Sequence, residues 1–102
     1  MEQGSVFSIA ANLAQVWKSQ SLGLVGNANI KILKMGGEGI PPEVHEDFDE
    51  MLIVLEGELP LIVEDKSLHL LTGDYCLVPK GHQHYVPAGS FGTLLLIDIL
   101  AP

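Results

Sequence analysis

A chain of 102 residues has the length of one domain, and 47% hydrophobic against 18% charged residues supplies enough apolar content for a core and excludes a disordered polypeptide. The net charge of −8 repels phosphate backbones and anionic lipid, so neither nucleic acid nor a membrane surface is an expected partner. All five basic residues are lysines (Lys18, Lys31, Lys34, Lys66 and Lys80). With no arginine to clamp a carboxylate or phosphate bidentately, phosphosugars and 2-oxo acids are disfavoured substrates.

The chain opens Met1-Glu2-Gln3 without a basic stretch leading into an apolar one, and its longest apolar runs fall far short of membrane-spanning length. A cytoplasmic location is expected. The single Cys76 has no partner for an internal disulfide, and its apolar neighbours on a predicted strand mark it as a packed thiol.

In chain order, residues 8–20 predict a short helix, with Ser8 as N-cap and Ile9, Leu13, Val16 and Trp17 sharing one face. We place residues 1–22 in an N-terminal segment and 23–102 in a single barrel. After Gly23 the pattern turns to short β-branched and apolar runs broken by Gly, Pro and Asp, the mark of an all-β barrel or sandwich, of which the resemblance given below implies the barrel. Strands are predicted near 29–35, 40–45, 50–56, 58–64, 67–71, 75–79, 83–87 and 93–99. No helical pattern separates them, which argues against a parallel α/β architecture. The runs Met51 to Leu55 and Leu94 to Ile97 are apolar on both faces, so each is covered twice, and a second copy of the chain is the expected outer cover. Pro79-Lys80-Gly81 predicts a type I turn, with Pro second and Gly fourth.

Two segments carry the chemistry. Gly37, Glu43, His45, Glu50 and Gly57 are spaced as G, five residues, E, x, H, four residues, E, six residues, G. Gly73, Pro79, Gly81 and His84 follow as G, five, P, x, G, two, H. Glu43 and His45 stand two apart in a predicted strand and therefore leave the same face, while Glu50 opens the next strand and can face them across the hairpin.

Together the segments resemble the two motifs of the cupin family, over nearly the whole chain after the N-terminal helix. The resemblance implies a cupin-type double-stranded β-helix, or jelly-roll barrel, with a divalent transition metal (Fe, Mn, Ni, Co or Zn) inside it. It implies Glu43, His45, Glu50 and His84 as the metal ligands, with His84 arriving from the far sheet. Where the usual motif has its first histidine this chain has Glu43, which makes the ligand set harder and more anionic, or else leaves too few ligands if Glu43 faces solvent. A second register places Gly39, His45 and Asp47 on the motif and makes Asp47 a ligand instead of Glu43. Ala88 stands where the second motif usually ends in asparagine. Small cupins also pair as homodimers across a two-fold axis.

His82 shares the parity of His84 and is the candidate proton donor or alternative ligand; a solvent-exposed turn histidine is the competing reading. Glu46, Asp47 and Asp49 read as a solvated turn, and His69 as an outward-facing residue. Tyr85 alternates with His84, which argues against a place at the barrel mouth, and Trp17 reads as packing. Two functions stay open: a metal-dependent enzyme of dioxygenase, isomerase or lyase type acting on a small organic molecule, and a non-catalytic module that binds a small molecule or metal, or no metal at all.

Overall fold

A computed structural model describes residues 1–100. One short helix, α1 (Val6–Ala11), precedes eight strands: β1 (Gln20–Val25), β2 (Ala28–Met35), β3 (Ile40–Glu43), β4 (Glu50–Val63), β5 (Lys66–Leu71), β6 (Tyr75–Val78), β7 (His84–Val86) and β8 (Phe91–Ile99). All strand pairs are antiparallel, in the order β1-β2-β8-β4-β7-β3, with β5 and β6 also pairing β4. The fold is all-β, as the strand pattern predicts, and antiparallel, in keeping with the jelly-roll barrel that the resemblance implies.

The helix is shorter than its periodicity suggests. Ser5, not Ser8, is the N-cap, its side chain accepting the Ser8 N–H, and the helix stops at Ala11. Asn12 closes it by donating from its side chain to the Ser8 carbonyl. Beyond this point Val16 and Trp17 are drawn to β2 rather than along a helix. The Trp17 N–H bonds the Lys34 carbonyl at 2.8 Å, its indole donates to the Gly36 carbonyl at 3.2 Å, and its backbone is left-handed, with φ of 65°. A tryptophan in that region is held there only by such outside contacts. β1 was not among the expected strands, and it opens at Gln20, inside the segment assigned to the N-terminus.

β4 runs unbroken through the two strands predicted at 50–56 and 58–64. Its first half pairs β6, its second half pairs β5 and β7, and β8 follows it from Met51 to Glu58 with a register shift between Val54 and Glu56. The bend is made possible by Gly57 and Gly92, which face each other across β4 and β8 with φ of 99° and 102°. A Cβ on Gly57 would collide with the Phe91 carbonyl, and one on Gly92 with the Glu56 carbonyl. The backbones thus approach as only glycine permits.

Alternation along these strands sends Leu33, Met35, Leu52, Val54, Leu59, Leu61, Leu70, Val78 and Leu94 into one buried cluster. Cys76 packs against its edge, and burial pushes its thiol up from the usual range. The opposite faces carry Met51, Ile53, Leu95 and Ile97. Ile32, on the outer face of β2, is fully buried, and α1 packs on β2. Further along the same face Tyr75 and Leu77 stay exposed, at 66% and 48%.

Candidate metal centre

The site forms at the end of the barrel where β3 finishes and β4 begins. Glu43 is the last residue of β3 and stands opposite His84, the first of β7. The strand predicted to reach His45 ends two residues early, so His45 projects from the connecting loop. Three contacts fix that loop. The His45 carbonyl accepts the Gly81 N–H at 2.8 Å, Asp49 accepts the Lys80 N–H at 2.9 Å, and Phe48 stacks on the His45 ring with centroids 4.8 Å apart. The two sequence segments are therefore stitched together through their turns. The turn itself is displaced by one residue from the expected type I: the Pro79 carbonyl accepts the His82 N–H, which puts Gly81 third with φ of 80°, the requirement of a type II turn.

Four side chains meet here. His45 Nε2 lies 3.4 Å from Glu43 Oε2 and 3.5 Å from Glu50 Oε2, and His84 Nε2 lies 3.3 Å from Glu50 Oε1. One donor atom each from Glu43, His45 and His84 fall within 4.8 Å of one another, a grouping able to hold a metal ion. Exposure rises from the interior outward: the side chains of His84 and Glu50 are 7% and 9% exposed, that of His45 26% and that of Glu43 45%. Glu43 is thus half-exposed yet turned toward His45.

The His84 Nδ1–H donates to the His82 carbonyl at 3.2 Å, which orients the ring and presents Nε2 to the centre. Donation of a hydrogen bond from His84 to the Glu50 carboxylate raises the His84 pKa above the ordinary imidazole value, against the opposing pull of burial. His45 Nε2 is buried and, despite two carboxylates nearby, has no hydrogen-bond partner among the described residues.

Asp47 is exposed and stands outside the cluster, so the second register brings no ligand to it. His82 is also exposed, with Nδ1 near the Lys80 carbonyl, and does not border the cavity. The reason is local: β7 begins only at His84, so strand parity does not extend back through the turn to His82. His69 faces outward beside Glu58. Sequence reasoning missed the stacking of Phe48 and the Asp49 contact, for which an acidic residue near the start of a strand was the only signal.

The four side chains border a cavity of about 230 Å³. Leu33, Leu52, Leu59, Leu61, Leu94 and Leu96 line it, with Trp17 and Ile40. Tyr85 borders it too, in contrast to the expectation from alternation, since a three-residue strand does not impose a face on its whole length. Lys31 and Asp98 complete the wall, paired at 2.6 Å.

An antiparallel barrel with carboxylates and imidazoles converging at one mouth defines a cupin-type scaffold. The Cupin domain family matches residues 30–100, and the chain belongs to that family. Among curated proteins it is similar to quercetin 2,3-dioxygenase of Bacillus subtilis, 36% identical over 67 residues that make up 64% of this chain and 20% of that protein. The chain therefore spans about a fifth of the length of that relative. Among solved structures, a cupin-2 domain protein of Shewanella frigidimarina superposes with a TM-score of 0.80 at 21% identity, covering 91% of this chain and 90% of the other. Hydroquinone 1,2-dioxygenase PnpCD, solved in complex with Cd²⁺ and 4-hydroxybenzonitrile, superposes with a TM-score of 0.79 at 21% identity, covering 96% and 72%. Identities this low speak for the fold.

Proposed function

We propose that the chain binds a divalent transition metal through Glu43, His45, Glu50 and His84 and acts with it as a cupin enzyme of the dioxygenase type on a small organic molecule. The observation that carries this reading is His45 Nε2, buried between two carboxylates and without a hydrogen-bond partner among the described residues. Such an atom is costly unless something satisfies it, and an ion shared with Glu43, Glu50 and His84 does so. The charges agree. Three carboxylates on the cavity wall, Glu43, Glu50 and Asp98, face one ammonium, Lys31, and the two excess negative charges match a divalent cation. Two imidazoles and two carboxylates suit Fe, Mn, Ni, Co or Zn.

When bound, the ion supplies Lewis-acid polarisation of a coordinated oxygen and, if redox-active, reactivity toward dioxygen. The protein's own contribution is positional. The His82 carbonyl holds the His84 ring, Phe48 holds His45, and the leucine lining keeps water from the apolar part of a ligand. Among cupin reactions, the dioxygenase reading is favoured by the similarity to the B. subtilis quercetin 2,3-dioxygenase and by the fold shared with the hydroquinone dioxygenase.

Elemental analysis of untagged protein tests the metal. Near-stoichiometric transition metal, lost in Glu43→Ala and retained in Asp47→Ala, is the expected result. Absence of metal before and after reconstitution refutes it, and loss in Asp47→Ala alone overturns the assignment of Glu43.

The same reading extends to assembly and setting. The uncovered outer face of β6, β4 and β8, with Tyr75 and Leu77 exposed beside Met51, Ile53, Leu95 and Ile97, favours a homodimer. No described helix is long and apolar enough to cross a membrane, and the lone Cys76 suits a reducing, cytoplasmic setting.

A further inference from the structure

Lys31 is the one lysine on the cavity wall among the described residues, and the proposed centre makes no use of it. Its position follows from register. Lys31 stands opposite Leu96 and Asn29 opposite Asp98, so Lys31 reaches diagonally to Asp98, with Nζ 2.6 Å from Oδ2. Met51 stands opposite Ile97, and continuing that register by one residue sets Glu50 beside Asp98. Glu50, Asp98 and Lys31 thus follow one another across β4, β8 and β2 on the inner face. They form a polar arc leading away from the histidines, with leucines deeper in the barrel.

Stability alone is a weak reason for this pair. Replacing a largely buried ion pair by apolar residues of similar volume is often neutral or stabilising. Asp98 Oδ1 is shielded and has no hydrogen-bond partner among the described residues, where the carboxylate serves Lys31 alone. Among the described residues Lys31 in turn makes one hydrogen bond with its three N–H groups, which leaves donors for the cavity it borders. The character of their acceptor follows from charge. Asp98 offsets the ammonium, and Glu43 and Glu50 share the cavity, so an added carboxylate meets net repulsion unless the metal takes it, whereas a neutral oxygen does not. Size narrows the ligand further. A cavity of about 150 Å³ holds benzene, so about 230 Å³ holds one substituted ring.

We propose that Lys31, positioned by Asp98, is a ligand-binding contact of this cavity that donates a hydrogen bond to a neutral oxygen on the far side of a single-ring ligand whose other oxygen lies at the Glu43–His45–Glu50–His84 centre. The second half of this statement rests on the metal reading above; the Lys31 contact stands by itself.

Calorimetry on the Zn²⁺-loaded protein under nitrogen tests the proposal, because zinc has no redox chemistry and only binding is read. The probes are phenol, 1,3-dihydroxybenzene, 1,4-dihydroxybenzene and benzoate. At least one dihydroxybenzene is expected to bind about tenfold tighter than phenol, the worth of one charge-assisted hydrogen bond. In Lys31→Met/Asp98→Leu, which removes both charges together and leaves no unpaired one, that advantage is expected to disappear while phenol affinity and zinc content hold. Emission from Trp17, the chain's single tryptophan and a cavity residue, reports the same titrations independently. An equal advantage in wild type and the double variant, or none in either, overturns the Lys31 contact. So does benzoate binding through Lys31 in the metal-free protein, where nothing offsets Glu43 and Glu50, seen as an affinity lost only in the double variant. If the protein takes up no metal, phenol is compared with toluene. A preference for phenol that vanishes in the double variant then sustains the Lys31 contact while the metal centre falls; a preference that persists removes both.

Discussion

Leu59→Ala probes the packing that supports the cavity. Leu59 is fully buried, sits in the second half of β4 opposite Leu70, belongs to the core cluster and borders the cavity. The substitution removes three carbons, which at about 0.8 kcal/mol each amounts to about 2.4 kcal/mol of lost transfer free energy. A sealed void raises the total for such changes to between about 2.7 and 5 kcal/mol. Here the vacated space opens onto an existing cavity with a polar rim, where water can enter, so the additional penalty is small and the expected loss is about 3 kcal/mol. For a domain of this length that lowers Tm by about 12 to 24 °C. Urea unfolding followed by circular dichroism in EDTA, which prevents bound metal from adding stability, measures it. A loss below about 1 kcal/mol would show that Leu59 is not packed as described. A loss above about 5 kcal/mol would show a sealed void there, and the cavity as drawn would be wrong.

Two further outcomes are expected. In the metal-free protein the His84 pKa is raised above 6.5, chiefly by its hydrogen bond to Glu50. The folded chain therefore binds this proton more tightly than the unfolded one, and the resulting stability is complete below the unfolded pKa and lost as pH rises through the folded value. Melting curves in EDTA from mildly acidic to mildly alkaline pH are expected to show that loss in wild type and not in His84→Asn; parallel curves would refute the assignment. Metal binding, which needs the neutral imidazole, is expected to run the other way and raise Tm more as pH increases. For assembly, sedimentation is expected to find a dimer in wild type and a monomer in Leu77→Lys, which sets a charge on the exposed apolar face. A wild-type monomer would refute the dimer.

The sequence by itself determined the fold class and the places where backbone chemistry leaves no choice. Short β-branched and apolar runs punctuated by Gly, Pro and Asp identified an all-β fold, because strand propensity and turn chemistry are local properties that need no tertiary context, while the two motifs pointed to the cupin barrel. The spacing of Glu43, His45, Glu50 and His84 singled out four residues that the structure brings to one mouth, whereas Gly57 and Gly81 were legible only as positions that need glycine: Gly57 serves a close approach inside the unbroken β4 rather than a chain reversal, and Gly81 is third in its turn rather than fourth. What tertiary structure decided were outcomes that depend on partners distant in sequence. The predicted helix at 8–20 ended at Ala11 because Val16 and Trp17 found better contacts on β2, a competition invisible to periodicity. The face of His82 depended on where β7 begins, and the cavity position of Tyr85 on how short it is. That Glu43 rather than Asp47 lies beside His45 is also a tertiary outcome, since an acidic loop offers several carboxylates at similar spacing. Lys31 and Asp98 lie 67 residues apart and carry no motif; only the register of β2 against β8 puts them together in the same cavity.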